Sequence, residues 1–130
     1  MKALNVFIII LFTGILTSCT TSGDGLDFTT TWNLTNVTGG FAGVDHRFEK
    51  GLIKWTFYEE DSVIEVTNSN EVESLIDIFE TGTYPYSIEE IDSEYRIFIN
   101  GSDFGTIYKT SKIMVIDQQF ADGFKITLTR

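Results

Sequence analysis

Two patterns of apolar residues divide the chain. Near the start they come as one run, Ala3 to Leu16, interrupted only by Asn5, Thr13 and Gly14. From Trp32 onward they alternate with polar residues, a period of two that marks half-buried strands rather than helices. The alternation predicts strands at about Thr30–Thr38, Gly51–Glu60, Ser62–Thr67, Thr81–Glu89, Tyr95–Asn100, Asp103–Thr110, Lys112–Gln118 and Phe124–Arg130. In the second strand Ile53, Trp55 and Phe57 share a face. In the last, Phe124, Ile126 and Leu128 oppose Lys125, Thr127 and Thr129. Gly39-Gly40 ends the first strand, and a loop is expected to run to Lys50. Asn100-Gly101 is a strong hairpin signal, because both residues tolerate positive φ. Pro85 marks a strand end, an edge or a bulge. Glu71 to Phe79 is ambiguous: Val72, Leu75, Ile76 and Phe79 fit a helical stripe, and Ile76 with Ile78 fits a strand. A short helix or loop covering one barrel end is expected there. Eight short antiparallel strands joined mostly by hairpins predict an all-β fold, an up-and-down eight-stranded barrel.

The N-terminal run reads differently. Lys2, the apolar stretch and the small residues after it have the layout of a secretory signal peptide. The stretch is short for a transmembrane helix, which needs about 20 apolar residues. Leu16-Thr17-Ser18-Cys19 resembles a bacterial lipobox. That resemblance implies cleavage before Cys19, a diacylglycerol thioether on its sulfur and an acylated amino terminus. Two or three acyl chains anchor stably where one does not. The expected organisation is a signal peptide at 1–18, a flexible tether at 19–29 and one barrel domain at 30–130. The location that follows is the bacterial cell envelope, with outer-membrane anchoring through the lipid and the leaflet left open.

Four stretches of the mature part stand out: Thr30-Thr31-Trp32-Asn33-Leu34, Lys54-Trp55-Thr56-Phe57, Gly82-Thr83-Tyr84-Pro85-Tyr86 and the terminal run from Asp122-Gly123 to Leu128-Thr129-Arg130. On these the mature part resembles the small lipocalin-like lipoproteins of Bacteroidota. In lipocalins a G-x-W motif closes the barrel base, and a late Arg packs across its Trp. The resemblance carries these roles to Trp32 and Arg130. Thr30 stands where the motif has Gly, and Thr106-Ile107-Tyr108 lacks the acid of the second lipocalin signature.

Charge and chemistry narrow the function. The chain holds 19 acidic and 9 basic residues, a net charge of −10. Such a surface repels phosphate backbones and excludes nucleic acid as an expected partner. It also suggests that the domain stands off an anionic bilayer on its tether. Cys19 is the sole cysteine, so packing alone must hold the core. An eight-stranded barrel either fills with side chains or holds one small ligand. Trp55, Phe57, Tyr84 and Tyr86 are the candidate lining for a small apolar or amphipathic ligand. The alternative is a filled barrel acting by surface contact, as a structural or protein-interaction lipoprotein. His46 lies near Asp45 and Glu49, but a single loop histidine is expected to be solvated, and neither a metal nor another cofactor is expected. Glu59-Glu60-Asp61 and Glu89-Glu90 fall at turns, where carboxylates face water rather than a sheltered cleft, so no enzyme activity is expected. Asp61-Ser62-Val63 resembles a Bacteroidota O-glycosylation triplet.

Overall fold

The computed structural model describes Phe28, residues 30–118 and residues 122–130. The expected signal peptide, Cys19 and the tether up to Asp27 lie outside the described residues. Among the described residues the elements are all strands: β1 (Thr31–Gly39), β2 (Val44–Arg47), β3 (Ile53–Tyr58), β4 (Val63–Asn68), β5 (Gly82–Ile91), β6 (Glu94–Ile99), β7 (Ser102–Lys109), β8 (Ile113–Asp117) and β9 (Phe124–Thr129). They form one antiparallel sheet that closes where β1 pairs with β9. Closure removes the free edges that an open sheet would present.

β2 and β3 lie along the same edge of β1. Asn36 to Gly39 face Arg47 to Val44, and Thr31 to Asn33 face Thr56 to Lys54. Between them Leu52 N–H bonds to the Glu49 carbonyl in a turn. The two are one stave with an interruption, so the barrel has eight staves in up-and-down order, with β2 as an extra strand segment. The alternation anticipated the eight but read residues 39–50 as loop. β2 is Val44-Asp45-His46-Arg47, too short and polar to show a period.

Two bulges set which residues point inward. In β3, Ile53, Trp55 and Phe57 are buried and alternate with Lys54, Thr56 and Tyr58. In β1 the inward set runs Trp32, Leu34 and then Val37. The register shift between Leu34 and Asn36 opposite β9 accounts for the change of parity. A second shift places one extra residue, Phe104, between Asp103 and Gly105 of β7. Gly105 has φ +137°, and a Cβ there would stand 2.5 Å from the Asp117 carbonyl oxygen, so this bulge requires glycine. At the β6–β7 turn, Asn100 and Gly101 both take positive φ, as their sequence predicts.

A meander sends alternate turns to opposite ends. The 40–43 turn, the 69–81 loop, the 100–101 turn and Gly123, whose carbonyl accepts from Gly40 N–H, lie at one end, here the loop end. Phe28, the 59–62, 92–93 and 110–112 turns and Arg130 lie at the other, the terminal end. The core between them contains Trp32, Trp55, Phe57, Ile64, Ile97, Met114, Ile116, Ile126 and Leu128, all without solvent exposure. Every stave has two neighbours within residues 28–130. That segment therefore supplies its own hydrogen-bond partners and core, and folds as a unit.

Candidate functional site

The four aromatics expected to share one wall do not gather at one place. β5 pairs with β4 through Pro85 and with β6 from Tyr86 onward, so it crosses the barrel obliquely. Tyr84 and Tyr86 are on the same face but two residues apart, about 6.6 Å along the strand. Tyr84 joins Trp55 at the loop end, and Tyr86 joins Phe57 at the terminal end.

At the loop end, Phe79 enters the barrel mouth. Its ring lies 5.2 Å from Trp55, 4.5 Å from Tyr84 and 5.4 Å from Phe104. These separations are typical of packed aromatic pairs. Phe79 sits in the 69–81 loop, which is neither helix nor strand. Leu75, Ile76 and Ile78 of that loop also pack on the core, while Val72 is exposed. Side-chain amides explain why the apolar stripe fails to become a helix. Asn68 Nδ2 donates to the Asp77 carboxylate and to the Phe79 carbonyl, both at 2.8 Å, and Asn70 Nδ2 donates to the same Asp77 oxygen at 3.0 Å. Asn and Asp offer the backbone these local partners in place of a helix ladder. Ile78 takes φ 74°, and Phe79 N–H bonds back to the Asp77 carbonyl at 2.9 Å. That is a γ-turn of the rare, strained hand, at a β-branched residue that disfavours positive φ.

His46, which pairs with the inward Val37 and shares its face, latches the loop. Ile76 N–H donates to His46 Nδ1 at 2.8 Å, so the imidazole accepts there and is half-buried rather than solvated. Asp45 beside it accepts from Asn36 and pairs with Arg47; the Asn36 bond, then the Arg47 bond, hold its carboxyl below the usual value of 3.8. Among the described residues no three His, Cys, Asp or Glu side chains gather to hold a metal.

The interior carries two unsatisfied donors. Trp32 Nε1 and Trp55 Nε1 are buried without a hydrogen-bond partner among the described residues. The two tryptophans face each other across β1 and β3. Buried indole N–H groups normally find an acceptor. The Tyr84 hydroxyl, by contrast, donates to the Glu80 carbonyl at 2.9 Å.

At the terminal end, Arg130 lies over Trp32 with its guanidinium carbon 5.1 Å from the ring centroid. Lys109 Nζ is 5.9 Å from the same ring and 5.3 Å from Phe28. Phe28, read from the sequence as tether, is buried and packs 5.6 Å from Phe57; its N–H donates to Glu59 Oε1 at 2.8 Å. Beside it a cleft of about 470 Å³ is lined by Phe28, Glu59, Ser62, Tyr86, Ile88 and Tyr95, among others. Desolvation first, and the Glu59 carboxylate second, push the Tyr86 phenol above its usual value.

No family model, curated protein or solved structure matches this chain.

Proposed function

We propose that this chain is a lipid-anchored protein of the bacterial envelope, lipocalin-like, whose barrel mouth binds a small apolar or amphipathic molecule. The lipobox and the lone Cys19 support the anchor, and outer-membrane placement follows from it. The observation that carries the binding reading is Phe79. It is a loop residue, held on a strained turn, with its ring among three aromatic rings supplied by strands and a strand bulge. A ligand with a flat apolar portion can take that place without altering the strands. The unsatisfied Trp55 donor favours a ligand that also carries a hydrogen-bond acceptor. Release of the strained turn, worth about 1–3 kcal/mol, offsets part of the cost of expelling Phe79.

A second reading has its own observation. Trp55 and Phe57 are 0% exposed, and the rings around them already touch. On that reading the barrel is filled and works by its outer surface.

One experiment separates the two. Nile red fluorescence is titrated against the unlipidated segment 20–130 and its Phe79→Ala and Trp55→Ala variants. Binding in the micromolar range is expected, tighter in Phe79→Ala because an internal competitor is gone, and weaker in Trp55→Ala. If neither the parent nor Phe79→Ala binds the dye while both keep a cooperative melt, the carrier reading fails and the surface reading stands. The anchor has its own test: Cys19→Ala is expected to leave the membrane fraction or to accumulate unprocessed. A variant processed at the same site and still membrane-bound refutes it.

A further inference from the structure

The net charge of the chain conceals an uneven distribution at the terminal end. Glu59, Glu60 and Asp61 occupy one turn of that end, and Glu89, Glu90, Asp92 and Glu94 flank the next. The opposite arc of the same rim is basic. It holds Lys109, Lys112 and Arg130, whose N–H bonds to the Lys112 carbonyl. The three salt bridges among the described residues employ Arg47, Arg96 and Lys125, and none employs this trio. Lys109 and Arg130 are held instead over one indole, that of Trp32. Tyr108, 51% exposed, and Ile113, 46% exposed, lie on the strands that lead into and out of the same turn. Unpaired cations beside exposed aromatic and aliphatic side chains are the composition of a surface that meets a bilayer interface.

The described chain enters on the same rim between the two arcs, with the Phe28 N–H on Glu59 of the acidic turn. Phe28, the first described residue, packs under Lys109. Eight residues lie between it and Cys19, so the nine steps of chain reach at most about 30 Å.

We propose that the arc formed by Lys109, Lys112, Arg130, Tyr108 and Ile113 docks on an anionic phospholipid surface and holds the loop end away from it. The cations meet lipid phosphates, and Tyr108 and Ile113 enter the interface. The two acidic turns tip the barrel so that the basic arc is lowest. The orientation rests on the lipid-anchor reading; the docking itself does not. This departs from the picture that net charge alone suggests, in which the domain stands off the membrane. Charge within a Debye length of the surface decides docking, and the more distant carboxylates are screened.

The test is flotation of the unlipidated segment 20–130 with vesicles of phosphatidylcholine alone or with added phosphatidylglycerol. The expected result is binding to the anionic vesicles only, weakened by salt. Lys112→Glu and the pair Tyr108→Ser with Ile113→Ser are exposed changes that leave the core intact. Lys112→Glu is expected to weaken binding by about fivefold or more, since each cation near such a surface contributes on the order of one kcal/mol. Lys50→Glu, the same change away from the arc, is expected to leave binding unchanged. Equal losses in Lys50→Glu and Lys112→Glu overturn the proposal, as does no binding to anionic vesicles. Competition by inorganic phosphate at millimolar concentration also overturns it, because it assigns the cations to a soluble anion instead. No protein in the assay carries lipid, so failure here is distinct from failure of the Cys19 anchor.

Discussion

The Phe79 ring lies 5.2 Å from the Trp55 ring at an angle of 49°, and the two reach that point by different routes. Trp55 is placed by strand alternation and is fixed between β1 and β4. Phe79 is placed by a loop held with side-chain amides, one histidine and a positive-φ isoleucine. Burial of the ring favours this arrangement, and the backbone at Ile78 opposes it. The contact is thus the part of the core that can be withdrawn without parting any two strands.

That opposition is testable at Ile78. Replacing Ile by Ala removes apolar contact but leaves a Cβ at φ 74°. Replacing it by Gly removes both the contact and the strain. Elsewhere Gly is less stable than Ala by up to about 1 kcal/mol. Here the order is expected to reverse, with Ile78→Gly more stable than Ile78→Ala by about 1 kcal/mol in urea unfolding. The usual order, Ala above Gly, would show that the turn stores no strain.

His46 offers a second handle on the same loop. Its Nδ1 accepts from the Ile76 N–H, and loss of the acceptor leaves that donor half-buried. His46→Ala is expected to cost about 1 kcal/mol and to speed amide exchange at Ile76 and Phe79. His46→Asn places an Oδ1 close to the Nδ1 position and is expected to restore much of both. If Asn behaves like Ala, the imidazole acts by packing rather than as an acceptor.

Alternation along the chain announces which face a residue occupies, and most of the barrel was legible for that reason. Ile53, Trp55, Phe57, Ile126 and Leu128 are inward as their period requires. Asn100-Gly101 turns as its φ preferences require. Alternation does not announce height along the barrel axis. Tyr84 and Tyr86 share a face but serve opposite ends, because β5 changes partner at Pro85. Nor does it survive a bulge: the step from Leu34 to Val37 breaks parity, and Phe104 joins the core only through the extra residue in β7. Phe28 stands alone among Asp, Thr and Gly, with no periodic neighbour to mark it as core. The 71–79 stretch looked helical by spacing because its apolar positions are also those a plugging loop needs. The Asn68, Asn70 and Asp77 bonds that decide between the two join residues seven to eleven apart, beyond what a local pattern shows.

Trp32 and Arg130 give a prediction about closure. Trp32 is fully buried, and Trp32→Ala is expected to cost about 3–5 kcal/mol, as large core truncations do. Arg130 is exposed at the C-terminus, and its cation–π contact is worth about 0.5–1 kcal/mol. Lys109 approaches the same ring, so it compensates in part when Arg130 is lost. Arg130→Ala alone is therefore expected to cost less than about 1 kcal/mol, and Arg130→Ala with Lys109→Ala more than the sum of the two singles. Strict additivity in the double-mutant cycle would mean that the two cations do not share the indole.

Tyr86 makes the stability of the barrel sensitive to alkali. Burial, reinforced by the Glu59 carboxylate, raises its phenol above the ordinary value of 10.0. In the unfolded chain the phenol titrates near pH 10. Between the two values the folded state keeps a proton that the unfolded state has released. Stability therefore falls as pH rises through that interval. The contribution is fully present below about pH 10 and is lost as pH climbs through the raised folded value. Tyr86→Phe removes the group and is expected to flatten the decline above pH 10 without changing the profile near neutrality. It is also expected to delete a phase of phenolate absorbance above pH 10 in an alkaline titration of the native protein. Glu59→Gln tests the smaller cause and is expected to move that phase only part of the way down, because desolvation remains. An alkaline profile identical in Tyr86→Phe and the parent would place the sensitive group elsewhere and remove Tyr86 from the sheltered wall of the terminal cleft.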